Sequence, residues 1–337
     1  MSTGFLCRYI ILPVLIRWSK GRIYCRLGIN FFARSAGYRN LRAEGRLIMN
    51  KKEHKTVLIT GCSSGFGLLS AVHLASLGYE VYATMRNLAK RNLLDEKAHE
   101  QNIQMHVLRM DVTEPESIHE VIAQIEKDHG RLDVLLNNAG YGIGGFFGDI
   151  SDAEYRAQME TNFFGVIGVT RAALPLLHKS DDARIINISS TAGLVTTPGM
   201  GAYNASKWAV EAFSESLRLE LLSMGIKVFL IEPGPYPTEV LTTNTRFAAN
   251  SNNPESPYYK FTMRLYRLYQ DNNKNLRSDP MDIPRIAARL IRGKNPPFRN
   301  ITGPTAKLRA HMHRFLPWRL YEWIIRMVIF GPSNSKV

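Results

Sequence analysis

The 337-residue chain is poor in cysteine: only Cys7, Cys25 and Cys62 are present, an odd number at wide spacing. Disulfide frameworks and cysteine-rich zinc sites need more cysteines than this, so we predict neither, and we expect a reducing compartment and no bound metal. Cys62 lies just before a predicted helix, whose N-terminus would lower the pKa of the thiol. We favour a small filler residue at this position, with redox regulation as the alternative.

Long hydrophobic runs are also lacking. The apolar stretch at residues 5–16 contains Arg8 and Pro13. It is also too short to cross a bilayer, for which a helix needs about 20 residues. Residues 1–48 hold eight arginines and one acid, Glu44, which is a composition typical of organelle transit peptides. No small-residue cleavage site of the secretory kind follows the apolar run.

Two interpretations of residues 1–48 stay open. Met49, directly before a predicted strand, resembles a natural start, which favours a tag, a mis-assigned upstream extension or an unpacked tail. The arginine content favours organelle targeting or surface anchoring. We expect a cytoplasmic protein, with membrane association and organelle targeting as alternatives.

Acidic residues are scarce at both ends of the chain. Residues 1–55 carry 12 Lys/Arg and 2 Asp/Glu, and residues 285–337 carry 11 and 1, whereas residues 56–284 carry 20 and 26. The net charge of +14 therefore belongs to the ends, and the body is mildly acidic. This distribution indicates solvation or contact with a membrane surface rather than a nucleic-acid groove, and we find no nucleic-acid motif.

From residue 56 onward, short apolar runs alternate with helical patterns. Continuous apolar strands separated by helices are typical of a parallel sheet that is covered on both faces. We therefore predict an α/β fold, a single doubly wound Rossmann domain over residues 49–307, followed by an amphipathic tail at 308–337. The predicted strands lie at 56–59, 80–84, 104–110, 133–136, 184–188, 227–231 and 298–302.

A glycine-rich loop joins the first predicted strand to the first helix, with the spacing G-x-x-x-G-x-G. Gly61 permits the tight turn, Gly65 lets the backbone approach a ligand, and Gly67 lets the helix pack closely on the sheet. A helix N-terminus with adjacent hydroxyls is suited to cradle a phosphate. We assign the following loop residues to cofactor binding: Gly61, Ser63, Ser64, Gly65, Phe66 and Gly67.

Tyr203 and Lys207 are four residues apart in a helical pattern of small and apolar residues, so they share one face of the helix. A phenol has an unperturbed pKa of about 10, and a nearby cation favours its ionised form. The pair therefore predicts a tyrosine that works as a general acid and base.

These features together resemble the classical short-chain dehydrogenase/reductase family, from about residue 55 to residue 238. The end of the chain and the strand at 81–86 are most similar to its hydroxysteroid and retinol dehydrogenase subgroup. Besides the loop and the Tyr-x-x-x-Lys pair, the motifs that carry the resemblance are Asp111-Val112 after the third strand, Asn137-Asn138-Ala139-Gly140 after the fourth, Asn162 in a long helix, Ser190 thirteen residues before Tyr203, and residues 233–238 after the sixth strand.

The resemblance implies hydride transfer between a nicotinamide and an alcohol or carbonyl carbon. It implies that Tyr203 exchanges a proton with the substrate oxygen, that Ser190 hydrogen-bonds this oxygen, and that Lys207 lowers the pKa of Tyr203 and holds the nicotinamide ribose. Asn162 is expected to hold a water that links Lys207 to solvent.

The resemblance also assigns cofactor contacts. Asp111, followed by Val112, would contact the adenine, and Asn138, Ala139 and Gly140 would stabilise the centre of the sheet beside the ribose. Pro233, Gly234 and Thr238 would hold the nicotinamide amide.

The end of the second strand bears on the choice between NAD and NADP. An NAD site usually has an acid about 20 residues beyond the glycines. This chain has Arg86 there instead, whose guanidinium can pair with a 2′-phosphate, and we identify no second cation in the loop. We predict that NADP(H) is preferred, with NAD(H) as the alternative.

Residues 239–280 are the least regular part, and the family resemblance makes them the substrate lid. Aromatic residues alternate with bases at 258–269, and a helix face packed on the core is an equally weighted interpretation. The tail at 308–330 has Pro317 at a plausible first helical position, and Arg314, Arg319 and Arg326 lie among apolar residues. It predicts either an interfacial membrane helix or a helix that covers the substrate site or a dimer surface.

We therefore predict an NADP(H)-preferring oxidoreductase that acts on an apolar alcohol or ketone of steroid, retinoid or lipid type. The alternative from another class is a catalytically silent dinucleotide sensor or scaffold, which has no need of the intact set Asn162, Ser190, Tyr203 and Lys207. A non-redox epimerase or lyase is a third, weaker interpretation. We expect a homo-oligomer and no nucleic-acid partner.

Overall fold

The computed structural model of the protein describes residues 16–19, 22–25, 54–236, 245–274, 278–303 and 305–331. The chain divides into two units, Met1–Lys51 and Lys52–Val337. In the first unit, strands β1 (Ile16–Ser19) and β2 (Arg22–Cys25) pair antiparallel. The sequence patterns did not predict this hairpin, and the rest of the predicted 1–48 extension lies outside the described residues.

The second unit contains the predicted parallel sheet. Seven strands pair side by side in the spatial order β11-β9-β8-β6-β3-β4-β5, and every pairing is parallel. The predicted fold class and all seven predicted strands are thereby confirmed. The strands of this unit are β3 (Thr56–Ile59), β4 (Glu80–Met85), β5 (His106–Arg109), β6 (Val134–Asn137), β7 (Gly142–Gly144), β8 (Arg184–Ile188), β9 (Lys227–Pro233), β10 (Thr245–Phe247) and β11 (Arg299–Thr302).

Helices connect these strands, and their ends follow local sequence signals. The N-terminus of the fourth helix carries a capping box between Ser151 and Glu154, and the third ends at Gly130 with φ of 70°. The helices are α1 (Gly65–Ser76), α2 (Asn92–Glu100), α3 (Pro115–His129), α4 (Asp152–Met159), α5 (Gly165–Leu177), α6 (Gly201–Leu221), α7 (Tyr259–Lys274), α8 (Asp282–Arg292), α9 (Ala306–Phe315) and α10 (Trp318–Phe330).

Helices cover both faces of the sheet, which explains why the strands are apolar throughout. Successive side chains of a strand point to opposite faces, so Val57 and Ile59 pack in one core with α1 and α8. Leu58 lies between them and packs in a second core with α3, α5 and α6. All three side chains are fully buried.

The chain after β9 differs in detail from the sequence prediction. Strand β10 pairs parallel with β7. Each of these strands has only three residues, which is too short for a sequence pattern to predict the pairing. The tail forms two helices, and Pro317 precedes α10 as its N-cap residue instead of occupying the first helical position. Among the described residues, no helix is long and apolar enough to cross a membrane.

The close packing of α1 on the glycine loop makes a testable prediction. A Cβ atom at Gly67 would lie 2.2 Å from the carbonyl oxygen of Gly61, so Gly67→Ala must displace backbone, and we expect it to destabilise the protein by at least about 1–3 kcal/mol. Gly168→Ala, in the interior of α5, is the matched control, because its Cβ would lie at an ordinary 3.5 Å from Ile118. Chemical denaturation of both variants measures the difference, and equal stability would contradict the packing argument.

Candidate active site

A cavity of about 860 Å³ opens at the carboxyl ends of the central strands. The strand order reverses between β3 and β6, and open α/β sheets bind their ligands at such a reversal. Most residues assigned from the sequence line this one cavity. They are Gly61, Ser63, Ser64, Phe66, Arg86, Asp111, Val112, Asn138, Ala139, Gly140, Ser190, Tyr203, Lys207, Pro233 and Gly234.

Four assigned residues are not in that lining. Gly65 and Gly67 lie in the first turn of α1, where Gly65 adopts a φ of 55° and Gly67 packs against the loop backbone. Asn162 is fully buried behind the cavity. Thr238 lies outside the described residues.

The glycine loop is tied to the end of β6. Gly61 has a φ of 74°, and a Cβ atom there would lie 2.8 Å from the Cα atom of Ala139, so only glycine fits this approach. The Asn138 side-chain amide donates to the carbonyls of Thr60 (2.9 Å) and Gly61 (3.1 Å). The two strand ends that flank the reversal are therefore held in contact.

Thr60 is a structural residue that the sequence analysis missed. Its hydroxyl oxygen accepts hydrogen bonds from the backbone amides of Asn138 (3.0 Å) and Ala139 (2.9 Å). A threonine directly before the first loop glycine was the available signal. The Thr60 hydroxyl accepts from the segment after β6, and the Asn138 side chain of that segment donates back to the segment after β3.

Tyr203, Lys207 and Ser190 face the cavity from α6 and from the end of β8. The Lys207 ammonium donates to the carbonyl of Ile188 at 2.9 Å and lies 5.8 Å from the centre of the Tyr203 ring. The Ser190 hydroxyl accepts from the backbone amide of Ala192 at 3.1 Å and donates to the carbonyl of Pro233 at 3.4 Å. The predicted phenol, ammonium and hydroxyl thus line one cavity.

Burial changes the acidity of Lys207. The residue is only 5% exposed, and loss of hydration lowers the pKa of its ammonium to about 8, although the negative charge of Glu211 opposes this shift. The ammonium is therefore less firmly protonated than a lysine in water.

Asn162 organises the backbone beside Lys207. It lies in a π-helical turn between α4 and α5, and its side chain accepts from the Tyr141 amide (3.0 Å) and donates to the Tyr141 carbonyl (2.9 Å) and the Ser206 hydroxyl (3.1 Å). A Cβ atom at Gly140 would lie 3.1 Å from Asn162 Oδ1 and 3.7 Å from Lys207 Nζ. The water-holding role of Asn162 stays a prediction.

Cations also line the cavity, beside the end of strand β4. Arg86 is 66% exposed, and its Nε lies 3.8 Å from an oxygen of Asp111, whose other oxygen accepts from the amide and hydroxyl of Thr113. Lys90 lines the same cavity, in the short helical turn that Asn87 caps. The glycine loop itself holds no cation, and Lys90 is a cation of the cavity lining that the sequence analysis did not identify.

Cys62 is buried beneath the loop. Its thiol donates to the carbonyl of Ile59, and burial raises its pKa to about 12. A thiol that stays protonated is a poor nucleophile, which supports the filler interpretation over redox regulation.

The aromatic residues of the predicted lid pack against neighbours. Tyr258 stacks on Phe146 with ring centres 5.6 Å apart, and Phe261 contacts Phe330 of α10 at 5.0 Å. In the described part of the chain, α7 contributes no residue to the cavity lining. The packed-face interpretation therefore describes these side chains, and the lid stays a prediction.

Several lining residues had no signal in the sequence analysis. They come from segments that are distant in sequence, and only the tertiary fold brings them together. They are Tyr141, Thr197 and Met200. Tyr236, Arg246 and Arg309 also line the cavity, from the motif at 233–238, the predicted lid at 239–280 and the predicted tail at 308–337.

Comparison with known proteins agrees with this geometry. A family model described as short chain dehydrogenase matches residues 55–248. The chain is 36% identical over 277 residues to a 3-ketodihydrosphingosine reductase of Bacteroides thetaiotaomicron, covering 80% of this chain and 96% of that protein. It is also 36% identical over 259 residues to human retinol dehydrogenase 8, covering 74% and 81%.

A solved structure gives the same fold. A short-chain dehydrogenase/reductase from Burkholderia phymatum in complex with NAD superposes with a TM-score of 0.68 and 25% identity, covering 79% of this chain and 95% of that one. The fold, the cavity and these similarities define an oxidoreductase that uses a nicotinamide dinucleotide. The chain belongs to the short-chain dehydrogenase family, and the similarity to a retinol dehydrogenase agrees with the subgroup predicted from the sequence.

Proposed function

We propose that this protein is an NADP(H)-preferring oxidoreductase that interconverts a hydroxyl and a carbonyl group on an apolar substrate. The observation that supports this proposal most directly is that Tyr203, Lys207 and Ser190 line one cavity with the glycine loop. A bound nicotinamide dinucleotide supplies or accepts the hydride.

The residues of the chain fit such a cofactor. The loop residues Gly61, Ser63 and Ser64 line the cavity, and the close packing that excludes a Cβ atom at Gly61 and Gly67 holds the loop against the end of β6 and against α1. In this proposal Asp111 and Val112 hold the adenine side, and Asn138, Ala139 and Gly140 line the ribose side. Pro233 and Gly234 hold the carboxamide, together with Thr238, which lies outside the described residues.

Tyr203 is the proposed general acid and base. It gives a proton to the carbonyl oxygen in reduction and takes one from the hydroxyl in oxidation. The Lys207 ammonium, 5.8 Å from the centre of the ring, favours the phenolate form of Tyr203. Ser190 donates a hydrogen bond to the same substrate oxygen and thereby orients it.

The preference for NADP(H) is inferred from charge. Arg86 and Lys90 both line the cavity, so a 2′-phosphate would meet two cations there. Asp111 Oδ2 lies near Arg86, at 3.8 Å from its Nε, but Arg86 is mostly exposed, so this ion pair is weak and leaves the guanidinium available.

The substrate class is inferred from the lining and from the relatives. Val195, Met200 and Tyr236 give the cavity an apolar component beside Tyr203. The two relatives described above are named for a ketosphingoid and for retinol, both of which are long apolar molecules. A catalytically silent sensor is the alternative, and turnover in the assay described below would exclude it.

A membrane surface is the proposed source of such a substrate. The Tyr321 hydroxyl of α10 donates to the carbonyl of Thr196, and Arg309 of α9 donates to the hydroxyl of Thr197, so both helices are anchored beside the cavity. Lys307, Arg319 and Arg326 add positive charge, which suits an anionic lipid surface. The two helices and their junction expose the apolar side chains Leu308, Phe315, Trp318, Leu320, Trp323 and Val328.

The role of Tyr203 is tested by Tyr203→Phe. We expect turnover to fall by about 10²–10⁴-fold, because the proton has no other donor of this kind, while the dissociation constant of NADPH stays within about threefold. Turnover is followed by nicotinamide absorbance with retinol, 3-ketodihydrosphingosine and a hydroxysteroid as probes. Tyr155→Phe, a half-buried tyrosine outside the cavity lining, is the control. Substantial activity of Tyr203→Phe would contradict the assignment.

The cofactor preference is tested by Arg86→Gln. We expect kcat/KM for NADPH to fall about 10–100-fold, since a charge-assisted hydrogen bond contributes about 1.5–3 kcal/mol, with little change for NADH. Arg91→Gln removes a nearby exposed cation that is paired with Asp95 and serves as the control. A wild-type enzyme that prefers NADH, or an equal loss with both cofactors, would show that Arg86 does not select the phosphate.

Membrane contact is tested by flotation of the full chain with liposomes that contain anionic lipid. We expect Trp323→Glu to reduce the bound fraction about tenfold, because withdrawing an apolar side chain of this size from the interface costs about 1.5–3 kcal/mol. Leu219→Glu replaces an equally exposed apolar residue on α6 and should leave flotation unchanged. Equal flotation of both variants would contradict the membrane proposal.

The homo-oligomer predicted from the sequence stays a prediction.

A further inference from the structure

A cluster of buried charges lies directly behind the proposed catalytic lysine. Glu211 is one helical turn beyond Lys207 on α6, and it is the only charged group whose field raises the pKa of that ammonium among the described residues. Both side chains are about 95% buried. Positions four apart on a helix are neighbours, so the carboxylate and the ammonium face one interior region.

Arg299 of β11 holds this carboxylate from the other side. Its guanidinium bonds Glu211 through Nη1, contacts Glu232 of β9 at 3.1 Å through the same nitrogen, and reaches Glu215 through Nη2 at 2.8 Å. We call Glu211, Glu232 and Arg299 the buried cluster. Glu215 is an outer neighbour, because its side chain is 61% exposed.

The buried cluster joins two carboxyl groups to one guanidinium. Glu232 is fully buried, and the polar neighbours of the two carboxylates include the Ser189 hydroxyl beside Glu211 and the Asn300 backbone beside Glu232. Besides Arg299, Lys207 is the cation whose charge acts on Glu211.

The electrostatics of the groups agree with this arrangement. Burial raises the pKa of Glu211, opposed by the charges of Arg299 and Lys207. Burial and repulsion from Glu211 raise the pKa of Glu232 to about 7, opposed by Arg299. The charges of Arg299 and Lys207 both favour the ionised form of Glu211, whereas Arg299 is the cation that favours the ionised form of Glu232.

We propose that Glu211 is a positioning residue that keeps the Lys207 ammonium charged, and that Arg299 keeps Glu211 ionised for this purpose. The inference rests on the proposed function, since it acts on Tyr203 through Lys207. Desolvation alone would favour neutral lysine, and a neutral amine would not stabilise the phenolate. The charged groups that face Glu211 are Lys207 and Glu215 on α6, Glu232 on β9 and Arg299 on β11.

The buried cluster also reaches the cofactor side of the cavity. Glu232 is followed directly by Pro233 and Gly234, which line the cavity, and Arg299 belongs to the adjacent strand β11. The same guanidinium therefore links α6, which carries the proposed acid and base, to the segment proposed to hold the carboxamide. A sequence signal existed, because Glu211 follows Lys207 at helical spacing, but nothing in the sequence placed Arg299 there.

The proposal is tested by titrating Tyr203 in the holoprotein. Phenolate absorbance is measured against pH for each protein and for its Tyr203→Phe counterpart, and the difference reports Tyr203 alone. In Glu211→Gln we expect the midpoint of Tyr203 to rise by roughly one pH unit, since an opposite charge at close range shifts a pKa by about 1–3 units and here acts through Lys207. The acidic limb of kcat for alcohol oxidation should move in the same direction.

Glu215→Gln is the matched control. It removes a carboxylate that contacts Arg299 from the exposed side, so the Tyr203 midpoint should stay within about 0.3 unit of wild type. Glu211→Asp keeps the charge and should restore most of the wild-type midpoint. Thermal unfolding and NADPH titration of each variant report whether the fold and the cofactor site are intact.

Each outcome decides the proposal. An unchanged midpoint in folded Glu211→Gln, or an equal rise in Glu215→Gln, would overturn it. Should Glu211→Gln not fold, Arg299→Gln is titrated instead, where loss of the guanidinium lets Glu211 take up a proton and the same upward shift is expected. An active wild type, an inactive Tyr203→Phe and an unshifted midpoint would contradict this inference while the proposed function stands.

Discussion

The hydrogen bonds between the ends of β3 and β6 are the contacts on which the site depends. The Asn138 amide bonds two carbonyls of the glycine loop, and the Thr60 hydroxyl accepts from two amides of the segment after β6. These four bonds close the sheet at the point where its strand order reverses. Leaving a buried polar group without its partner costs about 1–3 kcal/mol, so these bonds favour the observed conformation of the loop. The cavity opens directly above it.

Burial of Lys207 is a second constraint, and it opposes stability. An ammonium inside a sheet and helix interface loses its hydration, which is costly, but the low local dielectric also strengthens its effect on neighbouring groups. The Ile188 carbonyl and the carboxylate of Glu211 offset part of this cost. The buried Lys207 ammonium therefore costs stability, but it supplies the strong electrostatic field that the proposed chemistry at Tyr203 needs.

Charged and apolar side chains lie in different places around the cavity. Arg86 and Lys90 follow β4, on one side of the strand reversal, whereas Thr197 follows β8 on the other side, where its hydroxyl accepts a hydrogen bond from Arg309 of α9. The two C-terminal helices present aromatic and basic side chains on their outer surface. The proposed cofactor phosphate and the proposed membrane surface therefore lie on different sides of the strand reversal.

Sequence patterns alone determined the parallel sheet, its seven strands, the glycine loop and the Tyr203 and Lys207 pair, because each depends on periodicity or spacing over a few residues. They did not reveal β10 beside β7, the position of Lys90 or the packing of Phe261 on Phe330, since these contacts join residues that no local pattern relates. The acidity of Lys207 and the link from Glu211 through Arg299 to Glu232 were likewise decided only by the tertiary structure. Burial sets those properties, and burial depends on which distant segments pack together.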